Sequence, residues 1–298
     1  MSAVAAVTTA MGLRPTTAFQ RFTEYAVMRD DKPLYFGTDG DIAAQFNATR
    51  NCAILDGQGN AVEIRGLNMA PDRYELTERF LRAPKINADI NSATEATREI
   101  ANPDFEILGT NATSDDSIHY AEGGILIETD GGAADQVIVL PHLDADQSAW
   151  NKITWGTDQS TRWEAVIQTT ASVAALEIWA GLKLTNTRTI ATDADQVFFI
   201  FNPAAGASPT LWHTVYSIGG TDTEAGVGSA VAADTTYHLV IDIDSSRIAR
   251  FYINGTLVTT STALTTAVDL IPYIGVEGDA AAKSLRIFKQ AISRKAGA

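Results

Sequence analysis

The chain has 298 residues, 45% of them hydrophobic, enough for one large or two ordinary domains around a substantial core. Its 22 basic and 36 acidic residues leave a net charge of −14, which argues against a partner recognised through nucleic-acid phosphates. No run of about 18 apolar residues occurs, so no membrane-spanning helix is expected, and Cys52, the only cysteine, leaves no intrachain disulfide to form.

The opening MSAVAAVTTAMGL is apolar but has no basic flank, and Thr8-Thr9 break it. No secretory signal is expected, and residues 1–22 read as an extended arm. Residues 25–66 read as a meander of short strands: LYF, IAAQF, CAIL and AVEIR, separated by breaks rich in Gly, Asp and Asn. Two short helices are predicted next. Pro71-Asp72 with Glu75 gives an acidic N-cap, with Leu76 and Phe80 on one face. Ser92 with Glu95 repeats a capping box, and that helix should stop before Asn102-Pro103. Residues 67–103 thus read as a helical linker between an N-terminal part, 1–66, and a β-domain, 104–298.

From about residue 104 the chain is strand after strand. The runs are IHY, GGILIET, DQVIVLP, RWEAVIQTT, LEIWAGLKL, DQVFFIFN, LWHTVYSI, TYHLVIDI, RIARFYI, TLVTT, LIPYIGV and SLRIFKQAI. Turn signals recur every 8–15 residues, as in a sandwich or barrel. In TYHLVIDI, Tyr237, Leu239, Ile241 and Ile243 alternate with His238, Val240, Asp242 and Asp244. Asn254-Gly255 between RIARFYI and TLVTT predicts a tight hairpin, because a type I′ turn needs positive φ at both central residues. The fold class expected is mostly β: an antiparallel sandwich behind an arm, a meander and two helices.

TYHLVIDID, RFYINGTLV, LIPYIGVEG and the closing LRIFKQAI resemble the concanavalin-like, laminin-G-type jelly roll over roughly residues 104–294. KPLYFGTDGDIAAQFNATRNCAIL resembles the "PLxFGTDxDxxxxF" element of tailed-bacteriophage virion proteins. ATEATREIANPDFEILGTN and ETDGGAADQVIVLPHL resemble phage proteins that append such a jelly roll. These resemblances imply a non-enzymatic virion structural protein of the capsid-decoration type, assembled in the host cytoplasm. Its N-terminal part would be the anchor and its sandwich the displayed module. They also imply partners: the major capsid protein or other virion proteins, and further copies of the chain, a trimer being favoured. A tail-fibre or receptor-binding adhesin with a glycan-binding jelly roll is the alternative. No cofactor, nucleic acid or membrane enters either reading.

Candidate chemistry is sparse. A glycosidase needs two carboxylates about 5–10 Å apart, and no E-x-D-x-x-E run is present. Asp242 and Asp244, and Glu128 and Asp130, stand at i, i+2, but each pair abuts a turn and reads as structural or solvated. Asp193 with Asp195, and Asp115 with Asp116, offer hard oxygen ligands without the spacing of a self-contained Ca²⁺ loop. No Lys or Arg stands between Arg98 and Lys152, while carboxylates recur through that stretch. A solvated acidic face explains this, and a cation site or a dock for a basic partner is the sharper reading. His119, His142, His213 and His238 lack metal-site spacing. No phosphate-binding glycine loop and no nucleophile elbow occur. Of the five tryptophans, Trp163 and Trp179 lie in alternating strands and read as core or protomer interface. Trp150 and Trp155, in the loop SAWNKITWGTDQS, are the candidates for stacking on a sugar, set against packing beneath the loop.

Overall fold

The structure, a computed structural model, describes residues 34–36, 42–47, 52–56, 73–84, 86–87, 105–113, 116–120, 123–132, 134–141, 154–184, 193–204, 208–278 and 281–297. The chain divides into two units, Met1–Met69 and Ala70–Ala298. In the first, β1 (Leu34–Phe36), β2 (Ile42–Asn47) and β3 (Cys52–Asp56) form a three-stranded antiparallel sheet in sequence order. The expected meander is therefore present over these strands; the arm and AVEIR lie outside the described residues.

The second unit is a sandwich of two eight-stranded sheets. Its strands are β4 (Arg73–Glu78), β5 (Ile86–Asn87), β6 (Phe105–Leu108), β7 (Ser117–His119), β8 (Ile125–Glu128), β9 (Asp135–Leu140), β10 (Arg162–Thr169) and β11 (Leu176–Lys183). They continue as β12 (Gln196–Phe201), β13 (Leu211–Ile218), β14 (Thr221–Ala230), β15 (Thr236–Ile243), β16 (Ile248–Ile253), β17 (Thr256–Ala263), β18 (Ile271–Gly278) and β19 (Ser284–Lys295). Sheet I runs β17-β16-β15-β10-β19-β8-β7, with β4 also on β19. Sheet II runs β14-β13-β12-β11-β18-β9-β6-β5. The pairs are antiparallel except β5 with β6. This is the antiparallel jelly-roll class expected from the strand pattern.

Alternation decides which side chains enter the core. Along β10, Trp163, Ala165 and Ile167 are buried between half-buried neighbours, and β16 repeats this with Ala249, Phe251 and Ile253. The core centre is aromatic. Phe199 meets Phe251 edge-on at 5.4 Å, and Trp212 meets Tyr237 at 5.5 Å, both near the T-shaped geometry that ring quadrupoles favour. Each such buried side chain contributes about 1.5–3 kcal/mol of transfer free energy. Asn254 and Gly255 have φ of 50° and 79°, as a type I′ turn requires, and close β16 on β17. The Asn254 side-chain oxygen also accepts the His238 N–H at 2.9 Å, which ties the turn to β15.

The helix expected after Pro71 is instead β4. The local capping pattern lost to six ladder partners on the edge of β19, from Arg73↔Lys295 to Glu78↔Gln290. Helix propensity is a weak bias that such pairing overrides. Arg73 also donates to Ser160 O at 2.6 Å and Ser293 O at 3.2 Å. Glu78, expected inside the helix, accepts the N–H groups of Arg79 and Phe80 at the strand's end, where Phe80 turns at φ 51° into the core against Phe105. The second expected helix, 92–101, lies outside the described residues. Among those described, no helix is long and apolar enough to cross a membrane.

Candidate functional site

Sheet II has two unlike faces. Leu176, Ile178, Ala180 and Leu182 of β11 point into the core with Val197, Phe199 and Phe201 of β12. Their alternates point away from it. There Leu108, Ile138, Leu140, Trp179, Phe198, Val215, Ile271 and Tyr273 form a second apolar cluster, itself buried. Burial on both faces explains why β11 and β18 read as nearly continuous apolar runs. Gly275 gives close contact there: a Cβ would sit 3.2 Å from Trp179 Cε3 and 3.0 Å from Ile138 Cγ1, so the indole lies over bare backbone.

A polar row crosses this outer face beside the apolar cluster. Glu177 of β11 stands directly opposite Glu277 of β18, which stands opposite Gln136 of β9. Directly opposed residues place their Cβ atoms about 4.5–5.5 Å apart, so the two carboxylates share one patch of surface. Neutral donors orient them. Trp179 Nε1 and Asn202 Nδ2 each donate to Glu177 at 2.8 Å, and Gln136 Nε2 donates to Glu277 at 2.6 Å. Burial pushes the Glu177 carboxyl above its ordinary range, Glu277 adds to the rise, and the Trp179 and Asn202 hydrogen bonds oppose it.

Two depressions meet at this pair, and both are lined by Glu177 and Glu277. One, of about 340 Å³, extends over Trp179, Phe198 and Val215 toward Asp222 and Glu224. The other, of about 460 Å³, extends over Asn202, Pro203 and Ala175. Together they make a groove with an apolar floor and an acidic wall. Two of its amide oxygens, Gln136 Oε1 and Gln196 Oε1, are buried and accept no hydrogen bond from the described residues.

The candidates drawn from spacing fall elsewhere. Trp155 is fully buried in the main core, its backbone N–H donating to Asp269 at 2.5 Å, so its ring has no free face for a sugar and the stacking expectation is corrected at this residue. The cause is the anchoring of the loop: Thr157 N donates to Val268 O at 2.9 Å, drawing the indole beneath the chain. Trp150 lies outside the described residues. Trp163 and Trp212 are core; Trp179 lies on the outer face of sheet II. Asp244 ties a turn, accepting from Ser246 N at 2.8 Å, Ile248 N at 3.1 Å and Arg250 at 2.8 Å. Asp242 sits in register between Arg162 and Arg250. Glu128 is half-buried at the end of β8, and Asp130 is exposed. Asp193 is buried 3.8 Å from Lys183, while Asp195 accepts from Gly219 N and from the Thr265 hydroxyl. Asp116 accepts Thr113 N at 2.6 Å; Asp115 and His142 are outside the described residues. His119 bonds Phe80 O at 2.9 Å, His213 lies between Ser208 O and Glu224, and His238 lies 3.7 Å from Glu164. The topology gathers none of these into one site. What it does gather, Glu177 with Glu277, spacing rules do not detect.

No protein-family model matches the chain, and no curated protein does. Solved structures do share its strand layout. A protein of unknown function from Shewanella oneidensis MR-1 is 14% identical, covers 75% of this chain and 87% of its own, and superposes with a TM-score of 0.50. A glycoside hydrolase family protein from Mycobacterium thermorestibile is 10% identical, covers 73% and 99%, and scores 0.47. The β-glucanase of Bacillus licheniformis is 10% identical, covers 73% and 97%, and scores 0.46. At these identities the likeness bears on the fold alone.

Proposed function

We propose that the chain is a non-enzymatic structural protein of a tailed-bacteriophage virion, of the capsid-decoration type. Its N-terminal unit binds the outer shell and its acidic sandwich is displayed. The observation that carries this reading is the division of the chain at residue 69. The phage-like KPLYFGTDGD meander falls in one unit and the jelly roll in the other, a division that suits an anchor joined to a displayed module. A sheet of three short strands buries little apolar surface and gains stability by packing on a neighbour. Edge addition to a shell protein's sheet supplies such a neighbour. A permanent attachment of this kind buries well over about 1,000 Å² per contact.

The test is co-sedimentation with shells that lack the protein. The full chain is expected in the pellet, with residues 70–298 alone left in the supernatant. A full-length monomer that does not pellet with shells refutes the reading.

A second reading, a receptor-binding adhesin, is favoured by the groove across Glu177 and Glu277. Concave surfaces with a few convergent polar groups suit small ligands, glycans included. Binding on a glycan array that is lost in Gln136→Ala and Glu277→Gln supports it. Polysaccharide turnover abolished by Glu177→Gln would instead make the two carboxylates an acid and a nucleophile.

A further inference from the structure

The turn between β16 and β17 brings a nucleophile and an electrophile together. Asn254-Gly255 is the only Asn-Gly pair in the chain. Both residues are exposed, at φ of 50° and 79°. The backbone nitrogen after an asparagine can close on the side-chain Cγ, because the five-membered ring that results is already joined through Cα, Cβ and the main-chain carbonyl carbon. The chain itself supplies the proximity. A side chain on the following residue crowds that approach. Gly255 has none, and nothing lies within 4 Å of where a Cβ would stand. No hydrogen bond occupies the Gly255 N–H among the described residues. The electrophile is oriented: Asn254 Oδ1 accepts the His238 N–H at 2.9 Å. A donor on that oxygen stabilises the negative charge that gathers there when Cγ is attacked.

Asn111 and Asn202 lack this combination. Asn111 is also exposed at positive φ, 61°, but its side-chain amide donates to Asp135 at 2.6 Å and a buried Ala112 follows it. Asn202 is followed by Pro203, which has no N–H to attack with.

We propose that Asn254 is a site of spontaneous deamidation in the folded chain. Gly255 N gives its proton to hydroxide and bonds to Asn254 Cγ. The Cγ–Nδ2 bond breaks, and the side-chain nitrogen leaves as ammonia. Water then opens the cyclic imide at either carbonyl. Attack at Cγ gives aspartate; attack at the main-chain carbonyl gives isoaspartate, whose main chain runs through Cβ and Cγ. Either product adds a negative charge at neutral pH. Aspartate keeps the two-residue turn and an acceptor for the His238 N–H. Isoaspartate lengthens the turn by a methylene, which a type I′ hairpin does not accommodate, and removes the side-chain acceptor that ties the turn to β15. The modification therefore loosens β17, the outermost strand of sheet I.

The experiment incubates the full-length chain without denaturant, at neutral and at mildly alkaline pH. Its peptides are mapped by mass at intervals, and free ammonia is measured. The peptide spanning Asn254 is expected to show the amide-to-acid mass change before any other asparagine peptide, in aspartate and isoaspartate forms, and faster at the alkaline pH. One ammonia should be released per modified chain. Asn254→Gln, which would need a six-membered ring, is expected to lose the change at this position. Asn254→Asp should unfold close to the wild-type midpoint, whereas the isoaspartate fraction of aged wild type should unfold below it. Conversion of another asparagine first overturns the proposal. So does conversion of Asn254 only in urea, or ammonia release undiminished in Asn254→Gln. An isoaspartate fraction as stable as the unmodified chain overturns the loosening of β17.

Discussion

Lys183 and Asp193 should behave as a single unit. Lys183 Nζ lies 3.8 Å from Asp193 Oδ2, and neither side chain is accessible to solvent. The ammonium also sits 5.3 Å above the ring of Tyr273, which is fully buried. Burial, with Asp193 adding to it, pushes the Tyr273 hydroxyl well above its ordinary range, so the tyrosine stays neutral and cannot replace the lost charge. Lys183→Met keeps most of the volume but removes the cation beside a buried carboxylate. Breaking such a pair from one side costs about 3–5 kcal/mol. For a domain of this size that is a fall of about 6–20 °C in Tm. All five tryptophans lie in the second unit, so their fluorescence reports the unfolding of the sandwich without interference from residues 1–69. The double variant Lys183→Met, Asp193→Leu should recover most of the loss, because two apolar groups leave no charge to solvate. If Lys183→Met alone unfolds at the wild-type midpoint, water reaches the pair and the reasoning fails. If the double variant is no better than the single, the loss comes from packing and not from charge.

Phe199→Ala should cost about 3–5 kcal/mol by denaturant titration, since Phe199 is fully buried with its ring edge-on to both Trp212 and Phe251. Gly255→Val should lower stability by about 1–2 kcal/mol, because a β-branched residue is forced to a φ of 79° at the hairpin turn, whereas Thr256→Val in the following strand should change little. Asp244 has a depressed proton affinity: desolvation opposes the shift, but the Ile248 N–H, Arg250 and the Ser246 N–H outweigh it. The folded state therefore holds this proton less tightly than the unfolded one, and the stabilisation is present above the ordinary aspartate range and lost as pH falls through it. Wild-type stability should drop more steeply than that of Asp244→Asn below about pH 4, as read from midpoints in acetate and formate buffers.

The sandwich was legible where side chains alternate against a buried face. RWEAVIQT, TYHLVIDI and RIARFYI each carry that period, and each is a strand with the expected residues inward. β14 was not legible. TDTEAGVGSA is polar, glycine-bearing and exposed along most of its length, and its ladder to β13 holds it in place. Nothing in the sequence announces a strand whose stability comes from backbone pairing with a neighbour. The helix expected at Pro71 failed for the complementary reason, since Asp72 and Glu75 gave a sound local signal and the deciding contact, β19, lies at the far end of the chain. The site was the least legible part. Glu177 and Glu277 are far apart in sequence, and only the β11–β18 register makes them neighbours. One signal was present: in LEIWAGLKL a charged Glu177 precedes Trp179 on the same face of an otherwise apolar strand, which marks that face as something other than plain solvent surface.

The two outer faces of the sandwich show why the groove is the place to look for a ligand. On sheet I, Glu164 is surrounded by Lys289, Arg162 and His238, and Asp242 is flanked in register by Arg162 and Arg250. Lys289 there is desolvated enough that burial, with Arg79 next, lowers its proton affinity, yet it remains beside Glu164. That face is internally compensated and asks for no partner. On sheet II, Glu177, Glu277, Asp222 and Glu224 line one continuous depression, whose described lining residues include no lysine or arginine. Lys183, on the same strand as Glu177, is buried with Asp193 and does not serve this wall. Surface ion pairs are individually weak, so their presence on sheet I says little about stability. On the groove wall of sheet II, Glu224 has His213 at 2.6 Å, while Glu177 and Glu277 have no cationic partner among the described residues. Carboxylates opposed across a ladder cost the chain free energy, and among the described residues only neutral donors offset this at Glu177 and Glu277.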